Sequence, residues 1–411
     1  MPISNTSDTA VNTILKLISD NGSISQTRMF ELSGYSRAMI SIACEHLIQN
    51  GMIVTDNTKT MNKKKNIEYK LNADLGYIIG IAIGGTSCRI GIFNILCETI
   101  EIIRKPVDLV RGPEPILHEI DGYIEQLQGK YCTETKKLLG IGMGVPSPVK
   151  YEEGYANYPA FMPGWHMFDL KRYFQDRYRC PAFIDNEVNT MALEEYQQRP
   201  NKQTRVLLCI KVGTGIGSGL VIENSIYRGE NGGGGNIGHI QVTNATQQCE
   251  CGKTGCIEAI ASAPAILKRA TELATGSKHS KLHEIYAANG KLEISDIKTA
   301  ADDGDRIALG IIQYAGESIG EIIGMLTMFL DPAQVVIAGQ LMQLGPNYLY
   351  YIRNTVQKKA YPWIGHNFSI EFTQQPSSSA AIGAARLCIS ELFGRQIIFQ
   401  IAGKQQQSNG Q

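Results

Sequence analysis

A histidine and three cysteines with metal-ligand spacing carry the strongest chemical signal in the sequence. The cysteines follow the pattern C-x-C-x4-C at Cys249, Cys251 and Cys256, and His239 precedes the first of them by ten residues. Three thiolates and one imidazole form a closed, four-coordinate structural zinc site with no position open to water. The spacing favours a zinc ion that braces a loop over the alternatives, free cysteines and a core histidine.

A second polar cluster, Asp185-Asn186-Glu187-Val188-Asn189, lies between an apolar stretch and a helical run that we place at Met191–Tyr196. Carboxylates and amides at the end of a strand suit the hydroxyls of a sugar, or supply a general base that takes a hydroxyl proton. Capping of the following helix explains the same residue types. The cluster alone does not decide between these roles.

Two strand–glycine–strand units are repeated about 129 residues apart. The first carries Gly84-Gly85-Thr86 and the second carries Gly213-Thr214-Gly215. A duplicated α/β lobe with a ligand cleft between its copies would produce this repeat. Glycine loops after strands expose backbone amides to phosphate oxygens, although tight turns that bind no phosphate have the same appearance.

Residues 11–50 carry the pattern of three short helices, and a hairpin follows them. Ser25 and Ser36 are candidate N-caps, and Gly34 lies at a tight turn between the second and third helices. We expect a buried stripe on the third helix and a hairpin formed by two short strands. The stripe is Ile40, Ala43, Leu47 and Ile48, and the strands are Met52–Val54 and Ile67–Leu71. This order predicts a winged helix-turn-helix.

The tip and second strand of that hairpin, residues 57–70, are here called the wing. The wing holds five lysines and one glutamate, a net charge of +4. A cationic loop after a helix-turn-helix suits DNA phosphates, whereas a lysine run elsewhere is often only a solvated loop. The candidate DNA contacts on the third helix and the wing are Ser36, Arg37, Ala38, Ser41, Lys63, Lys64 and Lys65.

Composition sets the wider limits. The 411 residues include 39 basic and 39 acidic side chains, 43% are hydrophobic and 19% are charged. This balance is typical of a packed globular protein and excludes one that coats nucleic acid with its whole surface. No run is apolar enough for a membrane span, and the first residues lack the pattern of a signal peptide. We therefore expect a cytosolic protein without membrane insertion, whose remaining cysteines are reduced.

These motifs together resemble the ROK family of repressors, open reading frames and sugar kinases, and the resemblance extends over essentially the whole chain. The cysteine motif and the glycine pattern are its most specific parts. The other matching segments are Gly144–Pro148, Pro163-Gly164-Trp165, Gly238-His239, Cys256-Ile257-Glu258, Asp331-Pro332, Ile337-Ala338-Gly339 and Ile382-Gly383-Ala384.

The resemblance implies an α/β, two-lobed, actin-like sugar-kinase fold that assembles as a homodimer or homotetramer. An N-terminal winged helix-turn-helix is typical of the repressor branch and absent from the stand-alone kinases. We expect the DNA-binding domain at residues 1–73 and the effector-binding and oligomerisation domain at 74–402, with a disordered tail at 403–411. Lobe one would be about 74–195 plus the C-terminal helix, and lobe two about 196–386.

Three positions depart from the kinase pattern that the family implies. Ala82 stands where the kinases carry an aspartate for Mg-nucleotide, and Gln340 stands where a second glycine is usual. Glu187 replaces the catalytic aspartate, and its extra methylene moves the oxygens by roughly an ångström, which can cost on the order of 100-fold in rate. We interpret Glu187 as a vestigial base and the cleft as one kept for sensing a ligand. On this interpretation the protein is not an enzyme.

The candidate effector contacts are also carried over from the family. Asn236 replaces a glutamate that bonds sugar hydroxyls, and an amide keeps an acceptor while adding donors. The other candidates are Asn186, Glu187, His239 and Glu258. His239 would then serve both the zinc ion and the sugar.

The sequence therefore predicts a transcriptional repressor of carbohydrate genes that binds a palindromic operator and a sugar or sugar-phosphate effector. One alternative is an ATP-dependent sugar kinase with a DNA-binding appendage. Another is a repressor controlled by a protein partner, for which the apolar stretch Leu387–Ile401 offers a surface. Closing the core of its own lobe is the competing use of that stretch.

Overall fold

The first unit of the chain consists of three helices and a three-stranded antiparallel sheet. The computed structural model describes residues 4–56, 67–134, 136–159, 162–199, 204–365, 368–395 and 398. The elements of this unit are α1 (Ser4–Asn21), β1 (Ser23–Ser25), α2 (Gln26–Ser33), α3 (Arg37–Gln49), β2 (Ile53–Asp56) and β3 (Glu68–Leu71). The strand order is β1-β3-β2. Lys63, Lys64 and Lys65 lie outside the described residues.

Local capping explains where the short helices begin and end. The Ser25 hydroxyl accepts a hydrogen bond from the Arg28 amide at 3.3 Å, and the Ser36 hydroxyl accepts one from the Met39 amide at 3.3 Å. Gly34 ends α2 with φ of 72°, a left-handed conformation that glycine adopts without strain. The serine caps and the glycine turn predicted from the sequence are therefore present.

The buried stripe of α3 differs from the expected one at a single position. Ile40, Ala43, Cys44 and Leu47 are buried, whereas Ile48 is 42% exposed. Cys44 takes the place that we assigned to Ile48, because positions i, i+3, i+4 and i+7 share one helix face. A third strand, β1, pairs with β3 of the hairpin, and it is not among the elements predicted from the sequence. Three residues are too few to give a periodic signal.

The second unit is built on a five-stranded sheet, which we call the first sheet, with strand order β10-β7-β4-β5-β6. β4, β7 and β10 are parallel, and β5 and β6 are antiparallel to their neighbours. The elements of this unit are β4 (Tyr77–Ile83), β5 (Ser87–Asn94), β6 (Thr99–Pro106), α4 (Pro113–Tyr131), β7 (Leu138–Val145), β8 (Val149–Lys150), β9 (Tyr155–Ala156), α5 (Leu170–Tyr178), β10 (Ala182–Asn186) and α6 (Glu187–Gln197).

A second five-stranded sheet has the order β13-β12-β11-β14-β15. Its unit contains β11 (Val206–Val212), β12 (Ile216–Ile222), β13 (Ser225–Ile226), α7 (Ile257–Ala261), α8 (Ala263–Gly276), α9 (Lys281–Asn289), α10 (Ile294–Asp302), α11 (Arg306–Leu330), β14 (Gln334–Ala338), α12 (Pro346–Lys359), α13 (Pro362–Gly365) and β15 (Ser369–Phe372). Among the described helices, α11 included, none combines the length and the apolar character needed to cross a membrane.

Two helices lie between the sheets, α6 and the last helix, α14 (Ser379–Gly394). α14 packs on β4 and β7 of the first sheet, and α6 packs on α14 and on β11 and β12 of the second. Glycines permit this close approach. A Cβ at Gly219 would lie 2.4 Å from the Val188 carbonyl oxygen, and one at Gly383 would lie 1.8 Å from that of Thr190. The start of α6 is thereby held at the junction of the two sheets.

The C-terminal apolar stretch contributes to the core. Leu387, Leu392, Phe393 and Ile398 are buried in one cluster with residues of α1 and β4. These four side chains therefore offer no surface to a partner in this structure. Ile397 and Phe399 lie outside the described residues.

Candidate effector cleft and metal centre

The four metal-ligand candidates meet in one place. Each residue offers one ligand atom, and these four atoms lie within 4.8 Å of one another. They are an imidazole nitrogen of His239 and the sulfurs of Cys249, Cys251 and Cys256. His239 ends a short 3-10 turn, and Cys256 directly precedes α7. Glycines at 252 and 255, both with positive φ, let the chain fold back between the last two cysteines.

The spacing of these atoms fits a tetrahedral ion. Cys251 Sγ and Cys256 Sγ are 3.7 Å apart, and Cys249 Sγ and His239 Nδ1 are 3.6 Å apart. With Zn–S and Zn–N bonds of ordinary length, the edges of a tetrahedron are about 3.8 Å between sulfurs and about 3.6 Å between sulfur and nitrogen. The donor set and the distances thus suit a closed Cys3His metal centre.

Glu258 connects the metal cluster to the glycine loop between β11 and β12. Its carboxylate accepts a hydrogen bond from the Ile216 amide at 2.8 Å through Oε2, whereas Oε1 is buried and has no partner among the described residues. Burial raises the pKa of Glu258, and the Ile216 amide and His239 oppose that rise. A buried carboxylate oxygen without a donor is costly, so this atom is prepared to accept a hydrogen bond from a ligand hydroxyl.

The Asp185–Asn189 cluster contains the helix cap that sequence reasoning kept as an alternative. Asn186 Oδ1 accepts from the Val188 amide at 2.7 Å, and its Nδ2 donates to the Ser147 carbonyl at 2.9 Å. α6 accordingly begins at Glu187, four residues earlier than we expected. Asp185 is also engaged, because Arg228 Nε donates to its Oδ2 at 2.8 Å.

Glu187 forms an ion pair with Lys211 across the junction of the sheets. Glu187 opens α6 and Lys211 lies near the end of β11, so each sheet supplies one partner. The Glu187 side chain is 8% exposed and that of Lys211 is 23% exposed. Lys211 is not among the site residues predicted from the sequence. A lone lysine at the end of the apolar run VLLCI, two residues before a glycine loop, is the signal that could have identified it.

The two glycine loops face each other beside this ion pair. A Cβ at Gly85 would lie 2.8 Å from Thr214 Oγ1, and one at Gly84 would lie 3.4 Å from Glu187 Oε2. We call the space bordered by these loops, the Glu187–Lys211 pair and Glu258 the cleft. The repeated strand–glycine–strand units therefore come together, as a cleft between duplicated lobes requires.

The other predicted cleft residues lie around this space at different depths. Ala82 is buried and lies opposite Arg89 in the β4–β5 register. The Gln340 amide nitrogen would lie 3.9 Å from a Cβ at Gly213, so this residue borders the second loop. Asn236 is exposed at the start of the turn that holds His239.

The predicted DNA contacts of α3 cluster at its N-terminus. Ser36, Arg37 and Ala38 are exposed, and the Arg37 guanidinium lies 5.0 Å from the centre of the Phe30 ring. Ser41 is half-buried and donates a hydrogen bond to Glu45 at 3.3 Å. The face of α3 opposite its buried stripe is thus open to solvent at the positions where recognition helices contact bases.

Known proteins similar to this chain include both kinases and repressors. The glucokinase of Halalkalibacterium halodurans is 31% identical over 313 residues, which cover 76% of this chain and 94% of the relative. The xylose repressor of Caldicellulosiruptor bescii is 27% identical over 381 residues, which cover 92% of this chain and 95% of the relative.

A solved structure has the same fold over nearly the full length. The crystal structure of a ROK family transcriptional regulator, a homologue of the Escherichia coli Mlc protein, superposes with a TM-score of 0.82 at 20% identity. The superposition covers 97% of this chain and 99% of that chain. The sequence model of the ROK family matches residues 78–391, and this chain belongs to the ROK family.

Proposed function

We propose that this protein is a sugar-responsive transcriptional repressor that binds DNA through its first unit and a carbohydrate effector in the cleft. The observation that carries the proposal is the extent of the match to the xylose repressor. With 381 of 411 residues aligned, the match extends well into the first unit. The glucokinase uses 94% of its own length to match only 76% of this chain.

The first unit, which we place at residues 1–73, has the element order of a winged helix-turn-helix. α2 and α3 flank the Gly34 turn, and β2 and β3 form the hairpin that leads into the wing. In this arrangement α3 enters the major groove and the wing meets phosphate. We assign sequence reading to Arg37, Ala38 and Ser41, and phosphate contact to Ser36 and the lysines at 63–65.

We propose that the metal centre holds zinc and has a structural role. Four protein ligands complete a tetrahedral zinc shell, so a bound ion would brace the segment 239–258 and supply no site for water activation. His239 and Glu258 lie at the two ends of this segment. The metal would therefore position Glu258 next to the Ile216 amide, where its free oxygen can accept a hydrogen bond from an effector hydroxyl.

The effector would bind where the two sheets meet. Glu187 and Glu258 supply acceptors for hydroxyls, Asn186 supports the start of α6, and Asn236 and His239 border the same loop segment. Because the lining residues come from both sheets, a ligand that binds one relative arrangement of the sheets more tightly would shift the protein toward it. In a dimer on a palindromic operator, such a shift would change the spacing of the two recognition helices, which must match about one helical turn of DNA.

An ATP-dependent sugar kinase is the second candidate, favoured by the 31% identity to a glucokinase. Against it stands the state of the candidate base, because the carboxylate of Glu187 is already neutralised by Lys211. A coupled ADP-release assay over a panel of sugars separates the candidates. Turnover that disappears in Glu187→Gln would establish the kinase and overturn the interpretation of Ala82, Glu187 and Gln340 as positions of a cleft that no longer catalyses.

A mobility-shift selection with genomic fragments tests the proposed regulator. We expect a small set of fragments to be retained at moderate salt and at least one sugar or sugar phosphate to change their retention. Ser41→Ala should alter the preferred sequence, whereas charge-neutral substitutions at residues 63–65 should weaken all complexes alike. Identical behaviour of the two kinds of variant would contradict the division of roles. Failure to retain any specific fragment would contradict the proposal itself.

A further inference from the structure

The cations around the cleft outnumber its carboxylates. Arg89 and Arg104 lie opposite each other in the β5–β6 register, and neither forms an ion pair with any described residue. Like charges at opposed positions repel each other. Arg89 shares its register position with Ala82, which lies in one buried cluster with Val188 of α6, so Arg89 lies on the side of the first sheet that faces α6 and the cleft.

Lys211 brings a third cation to the same place. Its Nζ would lie 3.9 Å from a Cβ at Gly84, and its only described acidic partner is Glu187. Burial and then Arg104 lower the pKa of the Arg89 guanidinium, and Glu187 partly opposes that shift, so Glu187 interacts with Arg89 as well. The single carboxylate of Glu187 therefore faces more than one cation, and the group formed by Glu187, Lys211 and Arg89 retains a net positive charge.

The loops add hydrogen-bond donors to that charge. Within the part of the chain that the structure describes, the backbone amides of Gly85, Thr86, Thr214 and Gly215 donate no hydrogen bond. Loop amides of this kind, next to cations, are the groups with which proteins bind phosphate and carboxylate oxygens. A divalent cation would instead need several free oxygen ligands, and the carboxylate of Glu187 is occupied by Lys211.

We propose that Lys211, with Arg89 beside it, binds an anionic group of the effector directly, so that the effector is an anionic carbohydrate recognised without a divalent metal ion. The anion would be a phosphate ester or a carboxylate, which present the same oxygens to a lysine. Its arrival frees Glu187 from Lys211, and Glu187 then accepts a hydrogen bond from a hydroxyl of the same ligand. A neutral sugar would separate the pair and leave Lys211 without a counter-charge, which is unfavourable in a partly buried site. This inference rests on the proposed effector cleft.

The test is calorimetric titration of the full-length protein in excess EDTA. The probes are D-glucose 6-phosphate, D-glucuronate, D-glucose and inorganic phosphate, at matched ionic strength. We expect the wild type to bind at least one anionic probe more tightly than D-glucose. Lys211→Met should weaken that probe by about 10- to 100-fold, because a charge-assisted hydrogen bond is lost, and Lys211→Arg should restore part of the affinity. Which of the two anionic sugars binds identifies phosphate or carboxylate as the recognised group.

Lys281→Met is the matched control, because Lys281 forms an exposed ion pair with Glu284 and is not a cleft residue. This variant should bind every probe as the wild type does. If Lys211→Met fails to fold, Arg89→Met carries the same expectation with a smaller loss. Any of three results would overturn the inference. These are equal affinity for the anionic and neutral probes, equal binding of inorganic phosphate by wild type and Lys211→Met, and binding that occurs only when Mg²⁺ replaces the EDTA. The first step of the mobility-shift selection, retention of genomic fragments before any sugar is added, does not involve the cleft. It can therefore fail while this titration succeeds, and the reverse.

Discussion

Replacing Cys251 with serine should remove the metal and loosen the segment 239–258. Cys251 is the exposed cysteine of the cluster, so the substitution disturbs little packing while it removes one of four ligands. A serine hydroxyl stays protonated near neutral pH and does not replace a thiolate. We therefore expect the variant to fold without zinc and with lower stability of the unit built on the second sheet.

The size of the effect follows from linkage between metal binding and folding. A ligand present at about 1,000 times its dissociation constant stabilises the folded state by about 4.1 kcal/mol. The unit from Val206 to Phe372 has about 170 residues, for which the entropy of unfolding is roughly 0.36 kcal/mol/K. Loss of the zinc should therefore lower its melting temperature by about 11 °C.

Metal analysis together with scanning calorimetry measures both parts of this expectation. Wild type should contain one zinc ion per chain and Cys251→Ser should contain none. Cys132→Ser is the control, because Cys132 is a half-buried thiol at the end of α4 and outside the cluster. A wild type without zinc, or a Cys251→Ser variant that melts like the wild type, would refute the reasoning.

Three further outcomes are expected. Arg386→Met should lower the free energy of unfolding in urea by about 3–5 kcal/mol, because it leaves the carboxylate of Glu194 buried without its ion-pair partner. Glu194 is 1% exposed and accepts a hydrogen bond from Arg386 Nε at 2.6 Å. An unchanged unfolding midpoint would contradict this role of the pair. Tyr348→Phe should leave stability unchanged or raise it by about 1 kcal/mol, since the buried hydroxyl of Tyr348 has no described partner; a clear loss would reveal a partner. Glutamine at residues 63–65 should reduce the salt slope of DNA binding by about 0.9 per lost phosphate contact, and an unchanged slope would exclude the wing from the interface.

Features encoded by local spacing could be predicted from the sequence. The Ser25 and Ser36 caps, the Gly34 turn and the cluster of His239 with the three cysteines each depend on residues close together in the chain. Their geometry is therefore fixed by backbone stereochemistry and ligand chemistry before the tertiary fold is known.

Features that depend on contacts between distant elements could not be predicted. Lys211 ends an apolar strand, and its significance comes from Glu187, which the other sheet supplies. Arg228 likewise meets Asp185 only after the two sheets pack. The sequence predicts too late a start for α6, because the polar residues Asp185, Glu187 and Asn189 are buried in the fold and give this segment no amphipathic pattern.

The most direct test of the central claim is the ratio of specific to non-specific DNA affinity. Fluorescence anisotropy of the full-length protein on a selected genomic fragment, against a scrambled fragment of equal length, gives this ratio at physiological salt. We predict a ratio of about 10³ or more that falls when the effector is added. A ratio near one, unchanged by any sugar or sugar phosphate, would contradict the account.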